Sequence, residues 1–582
     1  MKTKIISLIG LISIFLFSCN DIMDKEPLDR ISENQVWNDV ALVDAYIVDV
    51  YSEMKFLYNA NNDQPGNWIT TFLTDLTDEG HTSFSWINTT SFYKAGAMVA
   101  SSEWPILRWG YYSTIRKMNF FLDKMGTSSL PNEQKTPRIA RIRFARAFTY
   151  FILARDYGGI PLILKAQNAT DPYDELYAKR NKEVEIYDFA LNELNDIIRN
   201  NDLPSLDPYD NGLPTRYAVL ALKSQIALYA ANLAKWGAVG LNGLLGVPSN
   251  RAQEFYQASY DASKQIIDAG KFSLYNGNTD KIKNFKSLFT AKKNSEVIYA
   301  RGFNSVTQGV AHFWDNWNYP YGFGAWPGNG SSPYLEMAEE FEWTDGTPGT
   351  PGTLDRTAIQ SGLWTIDGLW GKKEPRFFAS LYTHNSPFKG VSLDMTAGYL
   401  DGSGNPVVSH GANLSYDLNT GFGILKYCDE TYAPYWDDSR TDWIVFRYGY
   451  ILLNHAEAAF ELSKTDDALA SVNQVRNRAG VKLLTTITRE NIRHERKVEL
   501  AFENGYRYYD LKSWRLCENL LSRQYSGLEY YKDKSTSSYK LVVLKNIDGT
   551  TSPLFRPKDY YLPLTPKRIS NNPNLAPENP GY

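Results

Sequence analysis

The sequence predicts a mainly α-helical protein, built from tetratricopeptide-like helical repeats with a large loop-rich insertion that carries the binding face. Three observations support this prediction. Amphipathic helical segments follow one another towards both ends of the chain, small residues recur at helical spacing, and residues 276–440 lack apolar periodicity. Successive helices that each bury one face must stack on their neighbours, as in a helical-repeat scaffold.

The helical segments have chemically suitable ends. Residues 138–157 carry apolar side chains on one face and stop at Gly158, a residue that commonly ends helices. Residues 215–236 have alanine or serine at three- and four-residue spacing, which permits close approach of a second helix. Further helices are predicted at 38–56, 183–199, 251–270, 442–462, 465–479, 488–503 and 506–521.

Composition restricts the class of protein. The 582 residues are 43% apolar, so the chain has ample material for a folded core. The formal net charge is -4 and no run of Lys or Arg stands out, which argues against nucleic acid as a partner. The aromatic share of 14% suits a surface that binds a ligand while remaining hydrated.

The chain starts with the pattern of an exported lipoprotein. Two lysines precede an apolar stretch that is too short to span a bilayer, and the stretch ends just before Cys19. Leu at position -3 and Ser at position -1 relative to Cys19 resemble a bacterial lipobox. We therefore expect a signal peptide at 1–18, acylation of Cys19 (palmitate among the chains) and a polar tether at 19–36. A plain secretory leader is the alternative.

Residues 313–326 read FWDNWNYPYGFGAW, and half of them are aromatic. Pro320, Gly322 and Gly324 favour a loop, and a loop that buries seven rings also buries unpaired backbone groups. We therefore expect exposed rings. An indole or phenol can stack on the C–H face of a pyranose, while Asn and Asp hydrogen-bond its hydroxyl groups. The alternative is a loop folded on itself as a small satellite core.

The candidate ligand-binding residues combine rings with acids and amides. They are Trp86, Trp314, Trp317, Tyr319, Tyr321 and Trp326 for stacking, and Asp75, Asp78, Asn316 and Asn318 for polar contacts. Asp75 and Asp78, with Glu79, could instead hold Ca²⁺ through oxygen ligands or cap helix ends. Their spacing is not that of an EF-hand loop.

A carboxylate ladder, Glu495, Glu499 and Glu503, lies on one predicted helix face. Paired carboxylates are what a glycosidase needs, but neighbouring arginines (Arg493, Arg496 and Arg507) favour structural ion pairs, which make poor general acids. The histidines contain no pair at i, i+3 or i+4, and neither a nucleophile elbow nor a phosphate-binding loop occurs. The sequence therefore predicts no catalytic residue, no metal and no cofactor.

Several motifs resemble one known family, the SusD/RagB nutrient-binding lipoproteins of the starch-utilisation system. They are RFARAFTYFILARDYGGIPLI, PTRYAVLALKSQIALYAA, FRYGYILLNHAEAAFEL, VNQVRNRAGV, HERKVELAFENGYRYYDLKSW, CNDIMDKEP and NPNLAPENPGY. The resemblance spans nearly the whole chain. It departs from the family pattern at Met23, where Leu is usual, and at Lys512-Ser513, where an Arg more often precedes the Trp.

The resemblance implies an organisation and a function. It implies an N-terminal region at 37–275 and a C-terminal region at 276–582, with irregular loops at 276–440 and closing helices at 441–525. It also implies a protein on the outer face of the outer membrane that caps a TonB-dependent, SusC-like transporter, binds an oligosaccharide and has no catalysis. A peptide-binding member of the same family and a surface glycosidase remain as alternatives.

Overall fold

The structure is a computed structural model of the chain. It describes residues 33–57, 73–84, 98–100, 109–206, 212–303, 311–324, 328–415, 419–431, 439–549 and 553–582. Within these residues the chain is mainly helical, which confirms the predicted fold class. Cys19 and the predicted signal peptide lie outside the described residues.

Helices occur throughout the described chain, and the longest of them lie towards its two ends. In the first half they are α1 (Glu33–Asn38), α2 (Val40–Glu53), α3 (Tyr111–Thr127), α4 (Asn132–Tyr157), α5 (Tyr173–Leu176), α6 (Glu183–Asn200), α7 (Arg216–Trp236) and α8 (Ala252–Asp268). In the middle they are α9 (Lys281–Thr290), α10 (Trp314–Asn318), α11 (Leu335–Glu340), α12 (Ala358–Ser361), α13 (Ile366–Trp370) and α14 (Pro375–Ser380). Towards the end they are α15 (Tyr448–Glu461), α16 (Thr465–Ala479), α17 (Arg489–Glu499), α18 (Tyr506–Ser513), α19 (Cys517–Leu520) and α20 (Pro566–Asn571).

The helix ends follow local chemistry. Helix α4 stops at Gly158, whose φ of 77° is accessible to glycine and whose N–H donates to Ala154 O at 2.8 Å. Helix α16 ends at Gly480 in the left-handed conformation. At the start of α7 the Thr215 side chain accepts a hydrogen bond from the Ala218 N–H. These three termini agree with the sequence prediction to within one residue.

Consecutive helices pack in pairs along the chain. Helix α3 packs on α4, α4 on α6, α6 on α7, α7 on α8, α8 on α15, and α15 on α16. The small residues of α7 allow α8 to come close: Ser224 Oγ lies 2.8 Å from Ser263 Oγ, and Ser259 Oγ donates to Ser224 O at 3.0 Å. This arrangement is the helical repeat that the sequence predicts.

Short strands occur among the helices, most of them in the middle of the chain. They are β1 (Gly80–Thr82), β2 (Val297–Arg301), β3 (Ser331–Pro333), β4 (Leu363–Trp364), β5 (Leu381–Thr383), β6 (Pro387–Phe388), β7 (Val391–Ser392), β8 (Gly398–Leu400), β9 (Pro406–Val408), β10 (Phe422–Ile424), β11 (Trp443–Arg447), β12 (Gly527–Lys532) and β13 (Tyr539–Leu544). Strands β4, β13, β12, β8 and β9 form one sheet in that order, with β8 parallel to β12. The pairs β1–β3, β2–β11, β5–β10 and β6–β7 are antiparallel.

One predicted helix is wrong in its first part. Residues 443–447 (WIVFR) form strand β11, and helix α15 starts only at Tyr448. The segment is rich in β-branched and aromatic residues, and it pairs with β2. This composition was a local signal for a strand, but the partner strand lies far away in the sequence, so the pairing itself was not predictable from the segment.

The Pro- and Asn-rich tail folds back onto the N-terminal helices. Arg180 donates to Pro577 O at 2.8 Å and to Asn579 Oδ1 at 2.9 Å. Asn579 in turn donates to Tyr157 O and Leu562 O, at 3.0 and 2.7 Å. The tail therefore braces the turn that follows α4. Elsewhere, Cys428 and Cys517 are free and buried.

Candidate ligand-binding site

Trp314, the second ring of the aromatic stretch, belongs to the protein core. Its side chain has no exposed surface, and its Nε1 donates to Lys426 O at 2.8 Å. The ring packs against Trp443 and Tyr427 at centroid distances of 5.2 and 5.9 Å. A ring without an exposed face cannot stack on a sugar, so the prediction that Trp314 contacts ligand is wrong for this structure.

Trp317 sits in a small aromatic cluster with Phe84 and Phe313. Phe84 meets its ring edge-on at 5.0 Å, and the Trp317 Nε1 donates to Ser331 Oγ at 3.2 Å. A Cβ at Gly330 would lie 2.2 Å from the indole, so only glycine fits beside this ring. Trp317 is 4% exposed, which corrects its predicted stacking role and supports the satellite-core alternative.

Tyr319 is also fully buried. Its hydroxyl donates to the Asp429 carbonyl oxygen, Phe388 packs edge-on at 5.1 Å, and the Lys389 ammonium lies 4.4 Å from the ring centroid. Tyr319 therefore joins three loops from the inside of the protein, and its predicted stacking role is wrong.

The two predicted asparagine contacts point inwards as well. Asn316 and Asn318 are both 0% exposed. The Asn318 side-chain amide donates to Trp314 O at 3.3 Å, and the backbone carbonyl oxygen of Asn318 accepts from the Tyr382 hydroxyl at 3.0 Å. Neither asparagine side chain reaches the surface, so neither offers a surface contact to a ligand.

The acids of segment 73–84 anchor that segment to the C-terminal helices. Asp78 pairs with Arg507 and Lys497 at 2.8 Å; Asp78 and Lys497 are buried, and the Arg507 side chain is 9% exposed. Burial alone would raise the pKa of Asp78, but Arg507 and Lys497 together lower it far below its usual range. Asp75 is 1% exposed. The predicted ligand contacts of Asp75 and Asp78 are therefore wrong, because both side chains lie in the interior.

Glu79 is buried in the protein interior beside Asp78. Burial raises its pKa to about 7, although an N–H from Phe502 donates to its carboxylate at 3.1 Å. In the part of the chain that the structure describes, no cluster of three or more His, Cys, Asp or Glu side chains could hold a metal ion. The Ca²⁺ alternative for this segment thus has no ligand cluster among those residues.

Tyr321 is the predicted ring that stays at the described surface. It is half-buried, and its carbonyl oxygen accepts a hydrogen bond from the Asn413 amide at 3.1 Å. Phe323, two residues later, is also half-buried and packs edge-on against Phe388 at 5.0 Å. Trp86 and Trp326 lie outside the described residues. For these two and Tyr321 the binding role stays a prediction.

Asp315 is an important residue that sequence reasoning missed. Its side chain is fully buried, and Oδ1 accepts from the Asp429 N–H at 2.8 Å. Its own N–H donates to Ser439 Oγ at 2.8 Å. Asp315 thus ties the aromatic stretch to loops 429–431 and 439–440. A lone aspartate within a run of seven rings was the available signal, since such an acid must be paired if it is buried.

The carboxylate ladder forms buried ion pairs, as expected. Arg376 contacts Glu495 and Glu499 at 2.6 and 3.0 Å, and Arg447 contacts Glu499 and Glu503 at 2.7 and 2.8 Å. The partners are thus not the neighbouring arginines that the sequence suggested. Burial opposes ionisation of Glu499, yet its arginine partners hold its pKa far below the usual range. A carboxylate that stays ionised cannot act as a general acid.

Among the helices in the described residues, none combines the length and the apolar character that crossing a bilayer requires.

Comparisons with known proteins place these features in a family context. Residues 289–582 match the model of the SusD family, and residues 24–228 match a model described as starch-binding, associating with the outer membrane. A SusD-like protein, P38, of Formosa agariphila is 25% identical over 533 residues, which are 88% of this chain and 91% of that protein.

Solved structures show the same fold. A SusD-like protein of Bacteroides fragilis superposes with a TM-score of 0.72 at 25% identity, covering 96% of this chain and all of that one. A second B. fragilis structure, described as a SusD-like carbohydrate-binding protein, has a TM-score of 0.71 at 21% identity and covers 93% of this chain and all of its own.

Proposed function

The chain belongs to the SusD family, and from this premise we propose that it is a lipid-anchored glycan-binding protein of the outer cell surface. It captures an oligosaccharide and delivers it to a TonB-dependent outer-membrane transporter. The observation that carries this proposal is that two family matches, one of them to a starch-binding description, together span most of the chain. Holding a ligand beside a transporter raises its local concentration without any chemistry.

The proposed glycan contact is centred on Tyr321. The chain just before Tyr321 is firmly held, because Asp315, Trp317 and Tyr319 are buried and the first two are hydrogen-bonded to other segments. A phenol ring that follows a well-anchored segment loses little conformational entropy when it stacks on a pyranose. Trp86 and Trp326 complete the proposed set of stacking rings.

Titration calorimetry with a panel of oligosaccharides and peptides tests the ligand class. We expect heat with at least one glycan and a loss of tenfold or more in affinity in Tyr321→Ala. Tyr173→Ala is the matched control, because Tyr173 is an exposed tyrosine far along the chain from the candidate site. Heat with peptides and none with any glycan would replace the proposal by the peptide-binding alternative. Release of reducing sugar by the purified protein would contradict a binding-only role.

Membrane fractionation tests the anchor and the partner. We expect the full chain in the outer-membrane fraction, together with a co-purifying barrel protein. Cys19→Ala should leave the membrane fraction and keep its glycan affinity, because the anchor and the binding site are separate. A native protein that leaves the membrane in high salt, as a peripheral protein does, would contradict the lipid anchor.

A further inference from the structure

Two segments that are distant in sequence meet beside Tyr321, and the side chain of Asn413 joins them. The Asn413 amide donates to Tyr321 O at 3.1 Å, and its Oδ1 accepts from the Asp394 N–H at 3.0 Å. The Asn413 N–H also donates to Asp394 O at 2.8 Å. Asp394 therefore lies one side chain away from the backbone of the residue that carries the proposed stacking ring.

The Asp394 carboxylate faces solvent in a fixed orientation. Its side chain is 53% exposed. Its Oδ1 accepts hydrogen bonds from the Thr396 N–H at 3.2 Å and from the Thr396 hydroxyl at 2.8 Å. Among the residues that the structure describes, no donor engages Oδ2. Because the first oxygen is held by two bonds, the second is positioned to accept a hydrogen bond from a ligand.

No cation neutralises this carboxylate within the described part of the chain. The nitrogen that approaches it is His384 Nδ1, which lies 3.8 Å from Oδ1. This nitrogen accepts the Met395 N–H at 3.1 Å, so it carries no proton. Burial lowers the pKa of His384 to about 4, and the ring is therefore neutral near pH 7. Asp394 thus keeps its negative charge at the surface.

Lys389, in the turn between β6 and β7, does not offset that charge for a ligand. Its ammonium group interacts with the carboxyl groups of Asp315, Asp429 and Glu430. The charge of Lys389 is therefore matched within the protein, away from Asp394.

We propose that Asp394 determines the specificity of the proposed glycan site, by accepting hydrogen bonds from the hydroxyl groups of a neutral sugar that stacks on Tyr321. This inference rests on the proposed function. Hydroxyl groups make short, strong hydrogen bonds to an ionised carboxylate. A uronic acid or a sulfate ester at the same place brings a like charge to Asp394 and weakens binding. The ligand class is thus a neutral, hydroxyl-rich oligosaccharide.

Titration calorimetry with paired oligosaccharides tests the ligand class. The panel holds hexamers of glucose, mannose and galactose, each beside the matching hexamer of glucuronic, mannuronic or galacturonic acid, at neutral pH and low ionic strength. We expect the native protein to bind a neutral member at least tenfold more tightly than its acidic counterpart. Binding confined to acidic members would overturn this proposal and leave the glycan-binding function standing. Binding to peptides and to no glycan would overturn both.

Asp394→Asn separates a role in specificity from a role in structure. The variant keeps the size of the side chain and an acceptor for Thr396 but loses the charge. Its affinity for the neutral ligand should fall fivefold or more and its affinity for the acidic counterpart should rise, so the ratio of the two affinities falls. A change in folding alone would not move this ratio. A native ratio in Asp394→Asn would overturn the proposal.

Asp401→Asn is the matched control. Asp401 is an exposed aspartate at the far end of the hairpin that contains β8 and β9, and its Oδ1 also accepts two local N–H groups, from Ser403 and Asn405, each at 2.9 Å. Its affinity ratio should equal that of the native protein. Tyr321→Ala in the same assay separates the two proposals. If it keeps native affinity, the proposed glycan site is wrong; if it loses affinity while Asp394→Asn keeps the native ratio, only the role of Asp394 is wrong.

Discussion

Asp78 and Arg507 are joined by two 2.8 Å hydrogen bonds across 429 residues of sequence. Lys497 adds a third bond to the same carboxylate, also at 2.8 Å. The pairing fixes the short segment 73–84, which carries strand β1, onto helices α17 and α18. A residue that looked like a surface contact is thus a structural link between the two ends of the chain.

Removing the charge of Asp78 should destabilise the fold strongly. We expect Asp78→Asn to lower the free energy of unfolding by about 3–5 kcal/mol, because Arg507 loses the carboxylate that it contacts and Lys497 keeps only Glu340. Asp44→Asn, at a partly exposed pair with Arg138, should cost less than about 1 kcal/mol. Urea unfolding of both variants checks this, and equal small losses would show that Asp78 is not an anchor.

Glu79 should make stability depend on pH in the opposite sense to most acids. Burial raises its folded-state pKa to about 7, from 4.5. Folding thus disfavours the ionised form. The stability that the neutral Glu79 carboxyl contributes is fully present below about pH 4.5. It is lost as the pH rises through 7, and the free energy of unfolding falls by about 3 kcal/mol at most. Asp78, Arg507 and Lys497 face the same group.

The test compares unfolding free energies of native protein and Glu79→Gln between pH 4.5 and 8. Because Gln does not titrate, the free energy of unfolding of the variant should rise relative to that of the native protein as the pH rises. Glu133→Gln, at an exposed position in the first turn of α4, should show a constant difference. A constant difference for Glu79→Gln as well would contradict the buried, neutral state of Glu79.

Trp314 and Tyr321 should separate stability from binding. Trp314→Ala removes a fully buried indole and should cost about 3–5 kcal/mol of stability. Tyr321→Ala should cost under about 1 kcal/mol of stability, yet lose tenfold or more in glycan affinity, which corresponds to about 1.4 kcal/mol. Thermal unfolding and titration calorimetry on the same samples check both. If Trp314→Ala lost glycan affinity at little cost in stability, and Tyr321→Ala lost stability without losing affinity, Trp314 would belong to the binding face.

The contact between the C-terminal tail and the N-terminal helices should depend strongly on the Asn579 side chain. Asn579→Ala removes the partner of Arg180 and two hydrogen bonds to backbone carbonyls, so we expect a loss of about 1–3 kcal/mol in unfolding free energy. Asn571→Ala, at an exposed position eight residues earlier, should change stability by less than about 0.5 kcal/mol. Similar values for the two variants would mean that the tail does not brace the fold.

The sequence by itself determined the helical class, most helix positions and several helix ends. These features depend on local chemistry: the C-capping glycines Gly158 and Gly480, the N-cap Thr215, and the small residues that let α7 approach α8. Local signals of this kind are present within ten or twenty residues of the feature they predict. The ion-paired state of the carboxylate ladder was predicted from the neighbouring arginines, but the partners, Arg376 and Arg447, come from distant parts of the sequence.

Only the tertiary structure decided which aromatic rings are buried. Trp314 is covered by Trp443 and Tyr427, and Asp315 is bound by Asp429, all more than a hundred residues later in the chain. A run of rings with Gly and Pro has the same local pattern whether it faces solvent or a core. The free energy of burying a ring depends on the surface that another segment brings to it, and that surface is absent from the local sequence.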